Sequence, residues 1–412
     1  MRFLKAYVLS LALLVAALPF LLPTNVESQT TFPEAPTGFD NQTNGCVDQA
    51  THDADRAVFE DVEGTADGLG PTFNGTSCAG CHSTPVTGGV SNVTELRAGH
   101  LDRDGNFVAA TAFVNFGQEP IPNRSLINLN AICPAAQETL TNADPIRALR
   151  LTVNVLGDGY VDAIDDTTLQ AIAANQPAGM RGTYLVLSEA GLTNRVTGRF
   201  GWKDQHAGLL AFNSDAYLNE MGISNRLTPN QDDVTHQCDT VPDPEDAPDN
   251  IGDDDIVAFS RFIEATKAPP RDTALAATAS AQAGSQLFDQ IGCSTCHVRT
   301  IVTAPPGQIR GADGPVPECL GNKTIHPFSD FLLHNIGTGD GIAQISQHTR
   351  LRLRTAPLWG LRTHPAFMHD GGSPTILDAI QRHSGQAETV RTQFNNLSAT
   401  QRDQVLTFLN SL

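Results

Sequence analysis

Two copies of the pattern Cys-x-x-Cys-His constrain this chain of 412 residues more than any other feature. In each copy the cysteines lie three positions apart and the histidine follows directly. On one turn of a helix all three side chains can therefore face one macrocycle. A single copy could also be half of a zinc site or a redox dithiol, but two copies that both end in histidine disfavour those alternatives. The pattern predicts two covalently attached c-type haems, with the cysteines as thioether attachments and each histidine as an iron ligand. The residues are Cys78, Cys81 and His82 in SCAGCH, and Cys293, Cys296 and His297 in GCSTCH.

The first residues of the chain have the organisation of a secretory signal. Arg2 and Lys5 precede an apolar run from Ala6 to Leu22, and small polar residues follow it. An uncleaved anchor is the alternative, because the run is close to the shortest length that spans a bilayer. The polar exit favours cleavage, so we expect residues 1–28 to be a signal peptide. No later stretch is apolar enough to span a membrane, and we expect a periplasmic protein with no transmembrane span in the mature chain.

The charge of the chain restricts its partners. The formal net charge is −19, and the sequence shows none of the clustered Lys and Arg that phosphate contacts require, which argues against nucleic-acid binding. An acidic surface suits a basic protein partner.

Four cysteines remain outside the two motifs, namely Cys46, Cys133, Cys238 and Cys319. Thiols of an exported chain tend to oxidise, so two disulfides are expected. The sequence leaves three pairings open, and free or mixed thiols are the alternative.

The length and the apolar periodicity indicate two domains, since a domain typically has roughly 150 residues. Each motif is followed downstream by a short apolar helix, at residues 256–263 and 405–412. We predict a mainly α fold of two cytochrome c-like domains. The first, residues 29–265, carries a long irregular insertion, and a linker at 266–280 rich in Ala, Pro and Thr joins it to the second, residues 281–412.

The insertion, at about residues 90–199, contains two acidic segments, LDRDGN and NVLGDGYVDAIDD. Alternating oxygen ligands could wrap a calcium ion. Neither segment has the full spacing of a calcium loop with its closing Glu, so solvated turns are the preferred interpretation.

The ligand on the second face of each iron decides between electron transfer and chemistry, because a strong sixth ligand such as Met favours electron transfer. The mature chain offers Met180, Met221 and Met368. Met368 follows the histidine of the second motif by 71 residues, and we predict it as the sixth ligand of that haem, with His369 as a competitor. His100 follows the histidine of the first motif by 18 residues and could be a displaceable ligand there, although a surface histidine is an equal alternative.

Several longer segments carry a resemblance to a known family. The chain resembles the bacterial di-haem oxidoreductases that are described as peroxidases and also labelled thiol oxidoreductases, and is more distantly similar to the di-haem cytochrome c peroxidases. The resemblance covers most of the mature chain, but likeness to a family does not establish a substrate. The segments are GLGPTFNGTSCAGCH, GRFGWKDQHAGLLAFNSDAYLNEMGIS, IHPFSDFLLHNIG and RTAPLWGLRTHPAFMHDGGSPTILDAIQRHSGQA.

The resemblance implies roles for two further residues. Trp202 would be an aromatic bridge for electrons between the haems, and Glu220 would be the acid-base group that moves the proton between the two oxygens of peroxide. Without the resemblance, a core tryptophan and a surface carboxylate would be equally good interpretations. The glutamine that the peroxidases place about ten residues before this glutamate falls here near Leu209 and Leu210, which is a departure from the pattern.

His326 and His334 lie between the second motif and Met368, in IHPFSDFLLHNIG. The family has this segment near its second haem, and structural hydrogen bonding is the expected role of both histidines.

These observations favour a peroxidase-like oxidoreductase. We expect the second haem to accept electrons from a small donor cytochrome or cupredoxin and to pass them to the first haem, where peroxide is reduced. Two alternatives remain open, a di-haem electron carrier without catalysis and an enzyme that oxidises an organic or protein substrate at its di-haem centre. The carrier would have two six-coordinate haems in every redox state.

Overall fold

The computed structural model combines α-helices with a six-stranded antiparallel sheet. About 30% of the chain is helix and 17% is strand, so the prediction of a mainly α fold is wrong. Phe32–Leu412 form one compact unit, and the predicted signal peptide lies outside the described residues. The structure describes residues 31–188, 196–229, 237–248, 252–310 and 314–412.

Most helices are short and begin at a side chain that caps their first turn, such as Asp254 before α6 and Ser398 before α11. A π-helical turn, Tyr217–Met221, continues α5. The α-helices are α1 (Gln49–Glu60), α2 (Cys78–Cys81), α3 (Asp158–Asp162), α4 (Asp166–Asn175), α5 (Leu209–Ala216), α6 (Asp255–Glu264), α7 (Thr273–Ala276), α8 (Ala279–Gln290), α9 (Ile376–Gln381), α10 (Glu388–Asn396) and α11 (Ala399–Leu409).

The strands are concentrated between the first motif and α3, where the sequence shows no clear period. They are β1 (Thr72–Phe73), β2 (Thr94–Leu101), β3 (Phe107–Val114), β4 (Glu119–Arg124), β5 (Leu126–Ile127), β6 (Asn130–Ala131), β7 (Thr139–Leu140), β8 (Ile146–Leu151), β9 (Val186–Leu187), β10 (Val196–Thr197), β11 (Ile301–Val302), β12 (Thr324–Ile325), β13 (Leu333–His334) and β14 (Leu353–Arg354).

The large sheet occupies the segment that was predicted to be an irregular insertion. Its strand order is β4-β3-β2-β5, with β7 added on β3 and β8 added on β2. The alternation of buried and exposed residues is hard to recognise because alanines fill many inward positions of β3. It is also interrupted by a register shift between Ala110 and Ala112. These two features explain why the period of two residues was missed.

Helices α1 and α6 form the core next to the first motif. The ring of Phe59 in α1 lies 5.9 Å from that of Phe259 and 4.9 Å from that of Phe262 in α6. The ring of His82 lies 6.1 Å from the same Phe59. The apolar helix predicted at residues 256–263 is therefore confirmed, and it supports the first motif from one side.

Helices α8 and α11 form a second core around the second motif. Phe288 and Phe408 lie in edge-to-face contact, with ring centroids 5.3 Å apart. Gly284 permits the close crossing of the two helices, because a Cβ at this position would overlap the backbone of Gln404. The closing helix predicted at the end of the chain is thus confirmed.

The four remaining cysteines form two disulfides. Cys46 pairs with Cys319, with Cα atoms 5.1 Å apart, and Cys133 pairs with Cys238, with Cα atoms 6.4 Å apart. The first disulfide joins the segment before α1 to the region after the second motif. The expectation of two disulfides is confirmed, and the structure selects one of the three pairings.

The predicted linker at residues 266–280 is not an extended segment. It contains α7 and the first residues of α8, and Ala268 within it is buried. The division of the chain into two haem domains stays a prediction.

Candidate di-haem site

The second motif opens onto a cavity of about 240 Å³. Cys293 and Cys296 are free, half-buried thiols on its wall, and His297 follows them. Apolar side chains make up most of the lining, and none of the described lining residues is Asp or Glu. Such a wall suits the hydrophobic faces of a porphyrin.

The imidazole of His297 is oriented for ligation. Its Nδ1 donates a hydrogen bond to the carbonyl oxygen of Phe328, at 3.0 Å. This bond selects the tautomer in which Nε2 is free to bind a metal, as is usual for metal-ligating histidines. Burial lowers the pKa of His297 to about 4, so the ring is neutral at physiological pH.

Several further side chains of this cavity could supply a sixth ligand. Met368 lies on the wall, as do His364 and His369, and His383 joins them. The charge of His383 is, after burial, the largest influence on the pKa of His297, which shows that the two rings lie near each other. The charge of His334, on the same wall, lowers the pKa of His297 to a smaller extent.

His383 was not a candidate in the sequence analysis. Its Nδ1 donates to the carbonyl oxygen of Ala379, at 2.8 Å, so its Nε2 is free in the same way as that of His297. The i to i−4 hydrogen bond follows from its place directly after α9. The sequence gives only a histidine four residues after an alanine, a pattern too common to identify a ligand.

The first motif opens onto a separate cavity of about 170 Å³. Cys78 and Cys81 are again free and half-buried, and burial lowers the pKa of His82 to about 4. Among the described lining residues, His82 is the only histidine, whereas five histidines line the second cavity. The first cavity instead has charged groups on its wall, which are Glu95, Arg97, Arg150, Asp215 and Glu220.

Glu220 lies in the π-helical turn after α5. Helical turns with this widened geometry are frequent at functional sites. Its Oε2 accepts a hydrogen bond of 2.8 Å from the side-chain amide of Asn74, and Asn74 is in turn held by the backbone N–H of Leu129. Burial, and then the neighbouring carboxylate of Glu95, raise the pKa of Glu220 to about 8. The structure therefore brings Glu220 to the first motif as a carboxyl group that holds its proton at neutral pH.

Glu95 and Arg97 are site residues that the sequence analysis missed. They are two positions apart on β2, so their side chains share one face of the sheet. Nε and Nη2 of Arg97 donate hydrogen bonds of 2.7 and 2.9 Å to the two carboxylate oxygens of Glu95. Arg150 on β8 is directly opposite Glu95 in the strand register. Burial alone would raise the pKa of Glu95, but the neighbouring Arg97 outweighs this effect and the pKa of the carboxyl group is lowered.

Trp202 lies on the walls of both cavities. Its indole Nε1 donates to the carbonyl oxygen of Leu151, at 2.9 Å, and its ring meets that of His369 at 6.1 Å. Both backbone neighbours of Trp202, Gly201 and Lys203, are buried. An aromatic side chain thus lies on both walls, and its role as a bridge for electrons stays a prediction.

The amide that the peroxidases place before their glutamate has no direct counterpart. Leu209 and Leu210 do not line the first cavity, whereas the side chains of Gln205 and Asn213 do. Amide side chains at other sequence positions therefore keep this part of the first cavity wall polar.

His100 lies away from the first cavity, where it was considered as a ligand. His100 is on β2, partly exposed, with Nδ1 2.8 Å from Asp144, and it does not line the first cavity. Met221 is buried on the wall of the first cavity, and Met180 lies on that of the second.

His326 and His334 both make hydrogen bonds, as expected. His326 interacts with Thr300 and Glu34, and Nε2 of His334 lies 2.8 Å from a carboxylate oxygen of Asp330.

The acidic segments that suggested calcium have other partners. Asp162 is buried and pairs with Arg310 at 2.6 Å, while Asp102 accepts hydrogen bonds from the backbone N–H groups of Asp104 and Asn106 in an exposed turn. The turn in LDRDGN agrees with the preferred interpretation of a solvated turn. That interpretation is wrong for NVLGDGYVDAIDD, because its residues 158–162 form the buried helix α3.

Comparison with protein families gives a match over residues 133–412, to the family described as "Di-haem oxidoreductase, putative peroxidase". The match covers more than half of the chain and includes the second motif, Trp202 and Glu220. The chain belongs to this di-haem oxidoreductase family. This di-haem oxidoreductase is therefore an enzyme whose cofactors are haems.

Solved structures similar to this di-haem oxidoreductase share little sequence with it. Hydrazine synthase of Kuenenia stuttgartiensis has 14% identity and a TM-score of 0.39, with 99% of this chain and 100% of that chain covered. A MauG-like protein associated with microbial copper homeostasis has 13% identity and a TM-score of 0.38, with 94% of each chain covered. The di-haem peroxidase BthA of Burkholderia thailandensis has 13% identity and a TM-score of 0.32, with 74% of this chain and 93% of that chain covered.

A search of curated proteins gave no match. Within the described residues of this di-haem oxidoreductase, no helix is long and apolar enough to cross a membrane.

The residues of both motifs fit the haems that the family implies. In each motif two unpaired thiols and one neutral imidazole face the same cavity. At the second motif, the Nδ1 of the histidine is already satisfied by a carbonyl, which leaves Nε2 as the metal ligand.

Proposed function

We propose that this di-haem oxidoreductase is an exported, periplasmic peroxidase that takes electrons from a small donor protein and reduces peroxide at its first haem. The haems would be attached through thioethers to the cysteines of the two motifs, with His82 and His297 as iron ligands. When bound, they supply the redox chemistry, with the second haem as the entry point for electrons and the first as the site of peroxide reduction.

The contrast between the two cavities carries this proposal. The wall of the first has acidic and basic groups that can move protons and stabilise charge, and it has one histidine. The wall of the second has five histidines, His297 among them, and two methionines, and it has no described carboxylate. Proton-consuming chemistry needs the first kind of wall, whereas electron transfer works best with two strong axial ligands.

Glu220 and Trp202 have the positions that the proposal requires. Glu220 is protonated near neutral pH and can donate to the oxygen that leaves when the O–O bond breaks. Trp202 touches both cavities and provides an aromatic path between them.

We propose Met368 as the sixth ligand of the second haem, with His369 and His383 as competitors on the same wall. The hydrogen bond from Nδ1 of His383 to Ala379 leaves its Nε2 free and supports His383 as a candidate.

The donor would be a basic cytochrome or cupredoxin. The chain has a formal net charge of −19, and opposite charge raises the rate of encounter between two proteins at low ionic strength.

Peroxide turnover by the haem-loaded protein tests the proposal. The assay follows oxidation of a reduced basic cytochrome on addition of hydrogen peroxide. We expect Glu220→Gln to lower kcat by about 10²–10⁴-fold, the usual contribution of a general acid-base group. Glu138→Gln is the matched control, because Glu138 is a buried carboxylate paired with Arg124 at 2.6 Å and lies on neither cavity wall. Full turnover in Glu220→Gln would refute the assigned role.

Electron paramagnetic resonance separates the peroxidase from the electron carrier. A peroxidase should show one haem with an open or weakly held position in the oxidised or half-reduced protein. Two low-spin haems in every redox state would instead support a carrier without catalysis.

A further inference from the structure

The wall of the first cavity has three carboxyl groups, those of Glu95, Asp215 and Glu220. Asp215 pairs with Nε2 of His206, at 3.2 Å, and the other two carboxyl groups come from separate parts of the chain. Glu220 comes from the π-helical turn after α5, and Glu95 comes from β2, more than a hundred residues earlier in the chain. Both side chains line the first cavity, and burial and then the carboxylate of Glu95 raise the pKa of Glu220. Two neighbouring carboxyl groups repel each other when both are ionised, so such a pair tends to keep one proton between them.

The surroundings make the two groups unequal. Arg97 holds Glu95 with two hydrogen bonds, and Nη1 of Arg150 lies 3.6 Å from Oε1 of the same residue. Glu220 receives one neutral hydrogen bond, from Asn74. Positive charge beside a carboxylate favours its ionised form, whereas a neutral donor has a weaker effect.

The strand register makes this arrangement rigid. Glu95 and Arg97 lie on one face of β2, and β8 places Arg150 directly opposite Glu95. Arg97 and Arg150 are buried, and Asp340 holds Arg150 from the other side at 2.7 Å. Glu95 therefore has a fixed position beside the cavity.

We propose that Glu95 is a second functional carboxyl group of the first cavity, and that it forms with Glu220 a pair that holds one proton for peroxide reduction. Glu95 is the ionised member and Glu220 the protonated one. This inference rests on the proposed peroxidase function, which it deepens by identifying how the proton of Glu220 is retained.

The pair accounts for one of the two protons that the reaction consumes. Reduction of one hydrogen peroxide to two waters breaks the O–O bond and takes two electrons from the donor protein and two protons. Glu220 gives its proton to the oxygen that leaves as water, and solvent supplies the second proton. The pair then takes up a proton from solvent, so Glu220 is ready for the next turnover. Arg97, on the same wall, can stabilise negative charge that develops on the oxygens.

Infrared spectroscopy of the haem-loaded protein tests the pair without reference to turnover. A protonated carboxyl group has a C=O stretch that an ionised one lacks, and its loss with rising pH gives a midpoint. Burial also raises the pKa of Asp158 and of Asp204, so the band of Glu220 is identified as the one that disappears in Glu220→Gln. In Glu95→Gln its midpoint should fall, because Glu220 loses its negative neighbour and keeps Arg97 nearby. Glu138→Gln, which removes a carboxylate from a similar buried pair with Arg124, should leave the midpoint unchanged.

A midpoint in Glu95→Gln equal to that of the wild-type protein would overturn the proposal, and so would the absence of the band from the wild-type protein. If Glu95→Gln does not fold, Glu95→Asp is measured instead. This variant keeps the charge but shortens the side chain, so a smaller fall is expected and no fall would overturn the pair. Peroxide turnover is recorded separately. If the midpoint falls in Glu95→Gln but the wild-type protein does not turn over peroxide, the carboxyl pair is supported and the peroxidase function is refuted.

Discussion

Asp340 is the shared counter-ion of two buried cations. One of its carboxylate oxygens lies 2.7 Å from Nη2 of Arg150, and the other lies 2.7 Å from Nζ of Lys203. The side chains of Asp340 and Arg150 are 1% exposed, and that of Lys203 is fully buried. Removing one partner of a buried ion pair costs about 3–5 kcal/mol, because the other charge stays in the interior without compensation. Asp340→Asn leaves two such charges.

Other partners of the two cations reduce the expected loss. Lys203 also donates to the backbone carbonyls of Thr349, at 2.9 Å, and Arg352, at 2.8 Å. Burial lowers the pKa of Lys203 to about 8, so this lysine can lose its proton when its counter-ion is removed. We therefore expect Asp340→Asn to lower the free energy of unfolding by about 3 kcal/mol, at the lower end of the range for buried pairs.

Urea unfolding of the haem-loaded protein at pH 7 measures this loss. Asp40→Asn is the control, since Asp40 pairs with Lys267 at 2.9 Å but is 51% exposed. An exposed pair contributes about 0–1 kcal/mol. Equal losses in the two variants would refute the reasoning that burial makes the Asp340 pair important. Because Arg150 lines the first cavity, we also expect Asp340→Asn to perturb the spectrum of the first haem.

Four further predictions concern single positions. Trp202→Phe should slow electron transfer between the haems, measured by stopped-flow absorbance of the half-reduced protein, and an unchanged rate would argue against an indole bridge. The absorption spectra of His383→Gly and Met368→Leu should differ, because only the variant that lacks the sixth ligand should show a five-coordinate second haem. The pKa of Glu220 is raised from 4.5 to about 8, so the folded protein holds a proton that the unfolded chain releases. This stabilisation is complete below pH 4.5 and is lost as the pH rises through 8, and the stability of the wild-type protein should fall relative to Glu220→Gln over this window. Cys319→Ser opens the disulfide to Cys46 and should cost about 2–5 kcal/mol in urea unfolding under oxidising conditions, and equal stability of the variant and the wild-type protein would refute this expectation.

The sequence identified the parts of the site whose chemistry depends on local spacing. The two motifs needed only neighbouring residues, and Trp202 and Glu220 were recognised through segments that resemble a family. Glu95 and Arg97 could not be found in this way, because they reach the first cavity through strand pairing in a sheet whose period was obscured by alanines and a bulge. His383 was missed for a related reason, since its approach to His297 depends on how α9 packs and not on its neighbours in sequence. The helices at the end of each half were predicted because their apolar faces repeat with the helical period.

The cost of burying charge gives a reason to expect catalysis at the first motif. Taking a carboxylate or a guanidinium group out of water is unfavourable, and even a well-paired buried ion pair is often no more stable than apolar residues of the same volume. Apolar side chains surround most of the second cavity, and its described wall carries two arginines but no carboxylate, so the same fold can enclose a macrocycle without a carboxylate on the wall. At the first cavity the chain nevertheless keeps Glu95, Arg97, Arg150 and Glu220 on the wall. Stability does not account for this choice. A reaction that consumes protons and develops negative charge on oxygen does account for it, because it requires a proton donor and a fixed positive charge at the same wall.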